Sequence, residues 1–112
     1  MFKIIEKDIT NEATIRTPAY AKYYAVINSV SDIKKVFNFI TKNELKFKIL
    51  GNGSNILFSK DYYDDILFLK LGDGFKNFDL FNDYVQIGGT YSLIQAGRKL
   101  IAEGYKDYIF LI

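Results

Sequence analysis

The residues best suited to chemistry form a short glycine-rich segment near the middle of the chain. Glycines at positions 51 and 53 permit positive φ angles and leave no side chain between the backbone and a ligand, so consecutive N–H groups can converge on an anion. Ser54 and Asn55 add side-chain donors. The predicted binding residues of this loop are Leu50, Gly51, Asn52, Gly53, Ser54 and Asn55.

Two well-known phosphate-binding loops do not fit this segment. A Walker loop needs Gly-Lys-Ser/Thr, and a dinucleotide-binding turn needs a third glycine followed by a helix. Here the apolar, strand-like run Ile56-Leu57-Phe58 follows instead. A plain β-turn is the alternative interpretation, because glycine pairs are common in tight connections between strands.

A second glycine pair, Gly88-Gly89, precedes Thr90 and a predicted helix. It is either a sharp strand-to-helix turn or a further ligand contact, since a helix N-terminus can face an anion. Arg16 is a candidate cation for balancing phosphate charge, although a single arginine is also commonly a solvated surface residue. Gly88 and Gly89 are therefore secondary candidates for ligand binding.

The composition assigns no catalytic residue and no metal site. The chain has no histidine and no cysteine, which removes the commonest general base and the commonest ligands of zinc. Asp61, Asp64 and Asp65 are close in sequence, but such carboxylates usually belong to a solvated loop. Any reaction must therefore take its chemistry from another source, such as an organic cofactor.

The hydrophobic pattern predicts an α+β fold with an α/β-like start. A strand over residues 20–28, a helix over 32–42 and a strand over 47–50 suit a parallel crossover, with Ser31 as the helix N-cap and Asn43 as its stop. A helix capped by Thr90 and ended by Gly104 packs near the end. Further apolar runs predict a second strand group at residues 56–58, 66–69, 79–82 and 84–87.

The overall composition indicates one globular domain. The chain has 112 residues, 49% of them hydrophobic, and a formal charge of +2 spread along the sequence, which points to no nucleic-acid partner. No signal peptide or membrane-spanning run is evident, so a cytoplasmic location is the default. The apolar run Tyr108–Ile112 suggests a contact with a missing segment, a protein partner or another copy of the chain.

Several segments together resemble one flavoenzyme family. These are Thr14-Ile15-Arg16 with Ala19 and Ala21, and above all Ile49-Leu50-Gly51-Asn52-Gly53-Ser54-Asn55-Ile56-Leu57. They resemble the N-terminal FAD-binding domain of UDP-N-acetylenolpyruvoylglucosamine reductase, the UDP-N-acetylmuramate dehydrogenase family, which is of the vanillyl-alcohol-oxidase type. The resemblance implies FAD as cofactor, with its pyrophosphate on Gly51–Asn55, and matches Gly88-Gly89-Thr90 to a Gly-Ala-Gly step before a helix.

The resemblance also implies what this chain does not hold. The family's following Gly-Ile-Pro-Gly motif would begin after Ile112. The resemblance places none of the family's catalytic residues in this chain, neither the serine that protonates the carbanion nor the arginine and glutamate that assist. We therefore expect residues 1–112 to be a single FAD-binding domain, or a fragment of one, without the C-terminal substrate domain. NADPH and the UDP-sugar of peptidoglycan synthesis would bind only with that missing part.

Two other functions are compatible with the same residues. The fold can serve as a non-catalytic module that binds a nucleotide or a protein partner, with Tyr108–Ile112 as the contact. It can also belong to another flavin oxidoreductase whose substrate is set by a domain outside this chain.

Overall fold

A computed structural model describes residues 3–51 and 56–105 of the chain. The chain divides into two compact units, residues 1–72 and residues 73–112. Both contain strands and each contains one α-helix, so the predicted α+β class is confirmed. Within the described residues, neither helix is long and apolar enough to cross a membrane.

The first unit is a four-stranded mixed sheet with one helix. The strands are β1 (Ile4–Asp8), β2 (Tyr20–Ile27), β3 (Lys46–Leu50) and β4 (Tyr62–Leu71), and helix α1 is Val30–Lys42. Their order is β1-β2-β4-β3, with β2 and β3 both parallel to β4 and β1 antiparallel to β2. Helix α1 thus forms the predicted crossover, and β4 inserts between the two strands that it connects.

Helix α1 covers one face of this sheet. Tyr23 and Phe47 both lie in register with Leu67, which is fully buried at the centre of the sheet. The ring of Tyr23 packs on Phe39 of α1 at 5.7 Å. The ring of Phe47 packs edge-on against Phe37 at 5.0 Å. The apolar side of the predicted amphipathic helix therefore meets this face.

The opposite face is covered by loops and carries a buried hydrophobic cluster in which four residues are aromatic. Phe68 lies in register with Tyr24 and Lys48 on this side, and side chains alternate between faces along a strand. Edge-to-face contacts join Phe68, Tyr63 and Phe58, with ring centroids 5.2 to 6.1 Å apart. The buried cluster consists of Ile9, Ala13, Ala19, Ala21, Tyr24, Leu50, Phe58, Tyr63 and Phe68.

Two local predictions for the first unit are wrong. Ser29, not Ser31, caps α1, because its Oγ accepts a hydrogen bond from the Asp32 amide at 3.2 Å. The run Ile56–Phe58 is not a strand. It packs Phe58 into the aromatic cluster, and the Thr17 hydroxyl donates to the Phe58 carbonyl at 3.3 Å. Asn43 does end the helix as predicted.

The second unit consists of a short hairpin followed by a helix. Strands β5 (Phe78–Leu80) and β6 (Val85–Ile87) pair antiparallel, and helix α2 spans Leu93–Ala102. At the predicted Asn82-Asp83 turn, the Phe81 amide donates to the Tyr84 carbonyl at 2.9 Å.

The ends of α2 follow one prediction and contradict another. Ser92 is its N-cap and accepts a hydrogen bond from the Gln95 amide at 3.4 Å, so the predicted cap at Thr90 is wrong. Gly104 follows the helix with a φ of +97°, a conformation that favours glycine after a helix end. The predicted helix stop at Gly104 is therefore confirmed.

Candidate functional site

The parallel strands of the first unit end at one edge of its sheet. Strand β2 is followed by Asn28, β3 by Gly51 and β4 by Gly72. The Gly72 amide donates to the Ile27 carbonyl at 2.8 Å, which holds the end of β4 against β2. Ligands of open sheets of this kind commonly bind beyond the carboxyl ends of parallel strands. The glycine-rich loop therefore leaves the sheet at an edge suited to binding.

The two described residues of the predicted loop have different roles. Leu50 is 2% exposed and belongs to the buried cluster, so only its backbone is available to a ligand. Gly51 has no described atom within 4 Å of the position that a Cβ would occupy, and its φ is not positive. Neither packing nor strain within the described chain requires glycine there. The open space is what close approach of a ligand to the backbone would need.

The remaining loop residues, Asn52, Gly53, Ser54 and Asn55, lie outside the described residues. Their role in binding stays a prediction. The same holds for the apolar run Tyr108–Ile112, the predicted contact for a partner.

A cavity of about 240 Å³ lies among residues on both sides of this loop in the chain. It is lined by Lys48 of β3 and by Ile56, Leu57, Phe58 and Tyr63. The Tyr63 hydroxyl accepts a hydrogen bond from the Lys60 amide at 3.1 Å. The cavity thus combines an aromatic wall with one ammonium group. The sequence did not predict this cavity, because the apolar run Ile56–Phe58 indicated a strand.

In the second unit, contacts within the protein explain why residue 88 is glycine. Its amide donates to the Asn77 carbonyl at 2.8 Å. A Cβ at this position would lie 2.0 Å from the Phe75 carbonyl oxygen, so glycine permits this close backbone approach. The turn interpretation therefore accounts for Gly88. A ligand role for Gly88 and Gly89 stays a prediction.

Thr90, beside this glycine pair, has a polar atom without a partner. Its amide donates to the Phe75 carbonyl at 3.1 Å, but its buried Oγ1 has no hydrogen-bond partner among the described residues. Buried hydroxyls are usually paired.

The other sequence candidates lie on exposed surface. Arg16 is exposed and does not line the cavity beside the loop. Asp61, Asp64 and Asp65 are also exposed. No group of acidic residues in the described part of the chain is arranged to hold a metal ion.

The strongest electrostatic feature of the first unit centres on Glu12, whose side chain is only 10% exposed. Its carboxylate accepts from Lys7 Nζ at 3.1 Å, from Lys70 Nζ at 2.7 Å and from the Tyr24 hydroxyl at 3.2 Å. Burial alone would raise the pKa of Glu12, but the hydrogen bonds and charges of Lys70 and Lys7 lower it overall. The charge of Lys70 is therefore already compensated within the protein.

Comparison with known proteins identifies the family to which the chain is similar. Residues 21–109 match the FAD binding domain family. The chain is 25% identical to the UDP-N-acetylenolpyruvoylglucosamine reductase of Bacillus velezensis over 109 residues, covering 96% of this chain and 36% of that protein. It is 34% identical to the Francisella tularensis reductase over 74 residues, covering 66% of this chain and 25% of that protein. The chain thus spans about a third or less of these relatives.

A solved structure gives the same result for the fold. The UDP-N-acetylenolpyruvylglucosamine reductase from Thermus caldophilus superposes with a TM-score of 0.69 at 17% identity, covering 93% of this chain and 35% of that structure. At this identity the likeness concerns the fold. The predicted resemblance, the α+β fold and FAD as the cofactor are confirmed by these matches together.

Proposed function

Because the chain belongs to the FAD binding domain family, we propose that it is the flavin-holding part of an NADPH-dependent reductase of UDP-N-acetylglucosamine enolpyruvate in peptidoglycan synthesis. The observation that carries this proposal is the match over residues 21–109, supported by similarity to the named reductases of several Bacillus species. Such a reaction belongs in the cytoplasm, in keeping with the location expected from the sequence.

The proposed site for the FAD diphosphate is the loop from Leu50 to Asn55. Leu50 anchors its beginning in the core, and the open space at Gly51 leaves the backbone accessible. Backbone N–H groups on glycine-rich turns suit phosphate oxygens, and Ser54 and Asn55 add further donors. These residues fit a diphosphate, since small residues and neutral donors stand where the parallel strand β3 ends.

A second contact is proposed at the turn that precedes α2. Gly88 and Gly89 are the residues proposed for this contact, although the close approach of Phe75 already accounts for glycine at position 88. Glycine at both positions leaves the backbone without side chains at this turn.

Bound FAD would supply the redox chemistry itself. The residues of this chain would bind and orient the cofactor, and none of them is assigned a catalytic role. In the family, the residues that bind NADPH and the UDP-sugar, and the serine that protonates the carbanion left by hydride transfer, would belong to sequence that this chain does not contain. The chain alone is therefore proposed to bind FAD but not to catalyse the reduction.

A direct test is titration of the purified chain with FAD, followed by the change in flavin fluorescence. We expect wild-type protein to bind FAD and Gly53→Val to lose at least tenfold in affinity, because the new side chain blocks the backbone. Gly104→Asn is the matched control, since it replaces a glycine after α2 and is expected to bind normally. Equal binding by Gly53→Val would refute the loop assignment, and absence of binding by wild type would refute the flavin-holding role.

A further inference from the structure

The cavity beside the loop has one charged group on its wall. Lys48 lies on β3 in register with Phe68, on the sheet face opposite α1, and three residues before Gly51. The other described lining residues, Ile56, Leu57, Phe58 and Tyr63, are uncharged. Lys48 is also exposed, so a ligand can reach its ammonium group without displacing the core.

No described carboxylate pairs with Lys48, whereas Lys70 and Lys46 each have one within 4.0 Å. Lys70, on the next strand, contacts Glu12 at 2.7 Å. Lys46, on the same strand, lies 4.0 Å from Asp65. Within residues 3–51 and 56–105, no ion pair of Lys48 with a carboxylate is found. An unpaired cation on the wall of a cavity favours an anionic ligand.

The diphosphate of FAD carries negative charge that the loop donors do not neutralise, because its backbone amides, Ser54 and Asn55 are uncharged. We propose that the ammonium group of Lys48 binds a phosphate oxygen of FAD and supplies this missing charge. A lysine suits this role as a mobile point charge. The inference rests on the proposed binding of FAD by this loop.

The main rival for the role is Arg16. It is exposed like Lys48, but it is not among the described residues that line the cavity. Lys60, whose Nζ lies 6.0 Å from the centre of the Tyr63 ring, does not line it either. Lys48 is brought beside the loop by strand β3 itself, which ends at Leu50. The position of the cavity therefore favours Lys48.

The test compares the affinity for FAD of wild type, Lys48→Gln and Lys48→Arg at low and high salt. Charged hydrogen bonds to phosphate predict about a tenfold loss in Lys48→Gln at low salt. That loss should shrink at high salt, because salt screens the interaction. Lys48→Arg keeps the charge and is expected to retain most of the affinity.

Two matched variants serve as controls. Lys46→Gln removes a lysine of the same strand that does not line the cavity, and Arg16→Gln removes the rival cation. Both are expected to bind FAD as wild type does, and thermal unfolding checks that every variant is folded.

The outcomes separate this inference from the loop assignment. Unchanged binding by Lys48→Gln, a loss that is equal at low and high salt, or a loss in Arg16→Gln instead would overturn the role of Lys48 while leaving the loop assignment intact. Absence of FAD binding by wild type would overturn the proposed function and, with it, the role of Lys48.

Discussion

The Nζ of Lys70 lies 2.7 Å from the Oε2 of Glu12, although the two residues are 58 positions apart in sequence. Glu12 ends the short 3-10 turn Thr10–Glu12, and Lys70 lies near the end of β4. Lys7 of β1 and the Tyr24 hydroxyl of β2 bind the other carboxylate oxygen. One carboxylate thus joins three strands to the turn that follows β1.

Replacing Glu12 with glutamine should destabilise the first unit. The variant leaves Lys7 and Lys70 without their anionic partner, and breaking a partly buried charged hydrogen-bond network of this kind costs about 1 to 2 kcal/mol. Urea unfolding at neutral pH measures the loss. Asp65→Asn is the control, because its pair with Lys46 is long and exposed and is expected to contribute little. A stability loss as large in the control would contradict the special role of Glu12.

Glu12 should also make stability depend on pH in the acid range. Its pKa in the folded protein lies below its ordinary value of 4.5, so the unfolded chain binds the proton more readily. The stabilisation is complete above the unfolded pKa and is lost as the pH falls through the lower, folded pKa. The difference in unfolding free energy between wild type and Glu12→Gln should therefore shrink below about pH 4.5. A difference that stays constant to pH 3 would contradict this linkage.

Gly88 should be needed for folding even when FAD is absent. In Gly88→Ala the new Cβ would meet the Phe75 carbonyl at 2.0 Å, and the backbone shift needed to relieve this costs about 1 to 3 kcal/mol. Hydrogen exchange of the β5 and β6 amides measures the local loss. Gly51→Ala is the control, since nothing described lies within 4 Å of its Cβ position. Normal protection of β5 and β6 in Gly88→Ala would remove the packing explanation.

The start of α1 offers a test of its cap. Ser29→Ala removes the acceptor for the Asp32 amide, and loss of an N-cap hydrogen bond costs about 1 kcal/mol. Ser31→Ala lies two residues further on, where the hydroxyl contacts only the Ser29 hydroxyl among the described hydrogen bonds. We expect it to have a much smaller effect in urea unfolding. Equal effects of the two variants would contradict the assignment of Ser29 as the cap.

Local sequence patterns predicted the elements that are most regular. The aromatic and β-branched run of β2, the apolar spacing of α1 and the stop signals Asn43 and Gly104 all depend on neighbours within a few residues. Strand β1 was missed because Glu6 and Lys7 interrupt its apolar pattern. Its pairing with β2 and the contact of Lys7 with Glu12 stabilise it instead.

The sequence by itself determined the α+β class, the family resemblance and the glycine-rich loop after β3. Only the tertiary structure decided that β4 inserts between β2 and β3, that Phe75 requires glycine at position 88, and that Lys48 shares a cavity with Phe58 and Tyr63. The physical reason is the distance along the chain over which each kind of interaction acts. Propensities and turn chemistry act between close neighbours in the chain, whereas strand order, close backbone approach and uncompensated charge depend on residues that folding brings together.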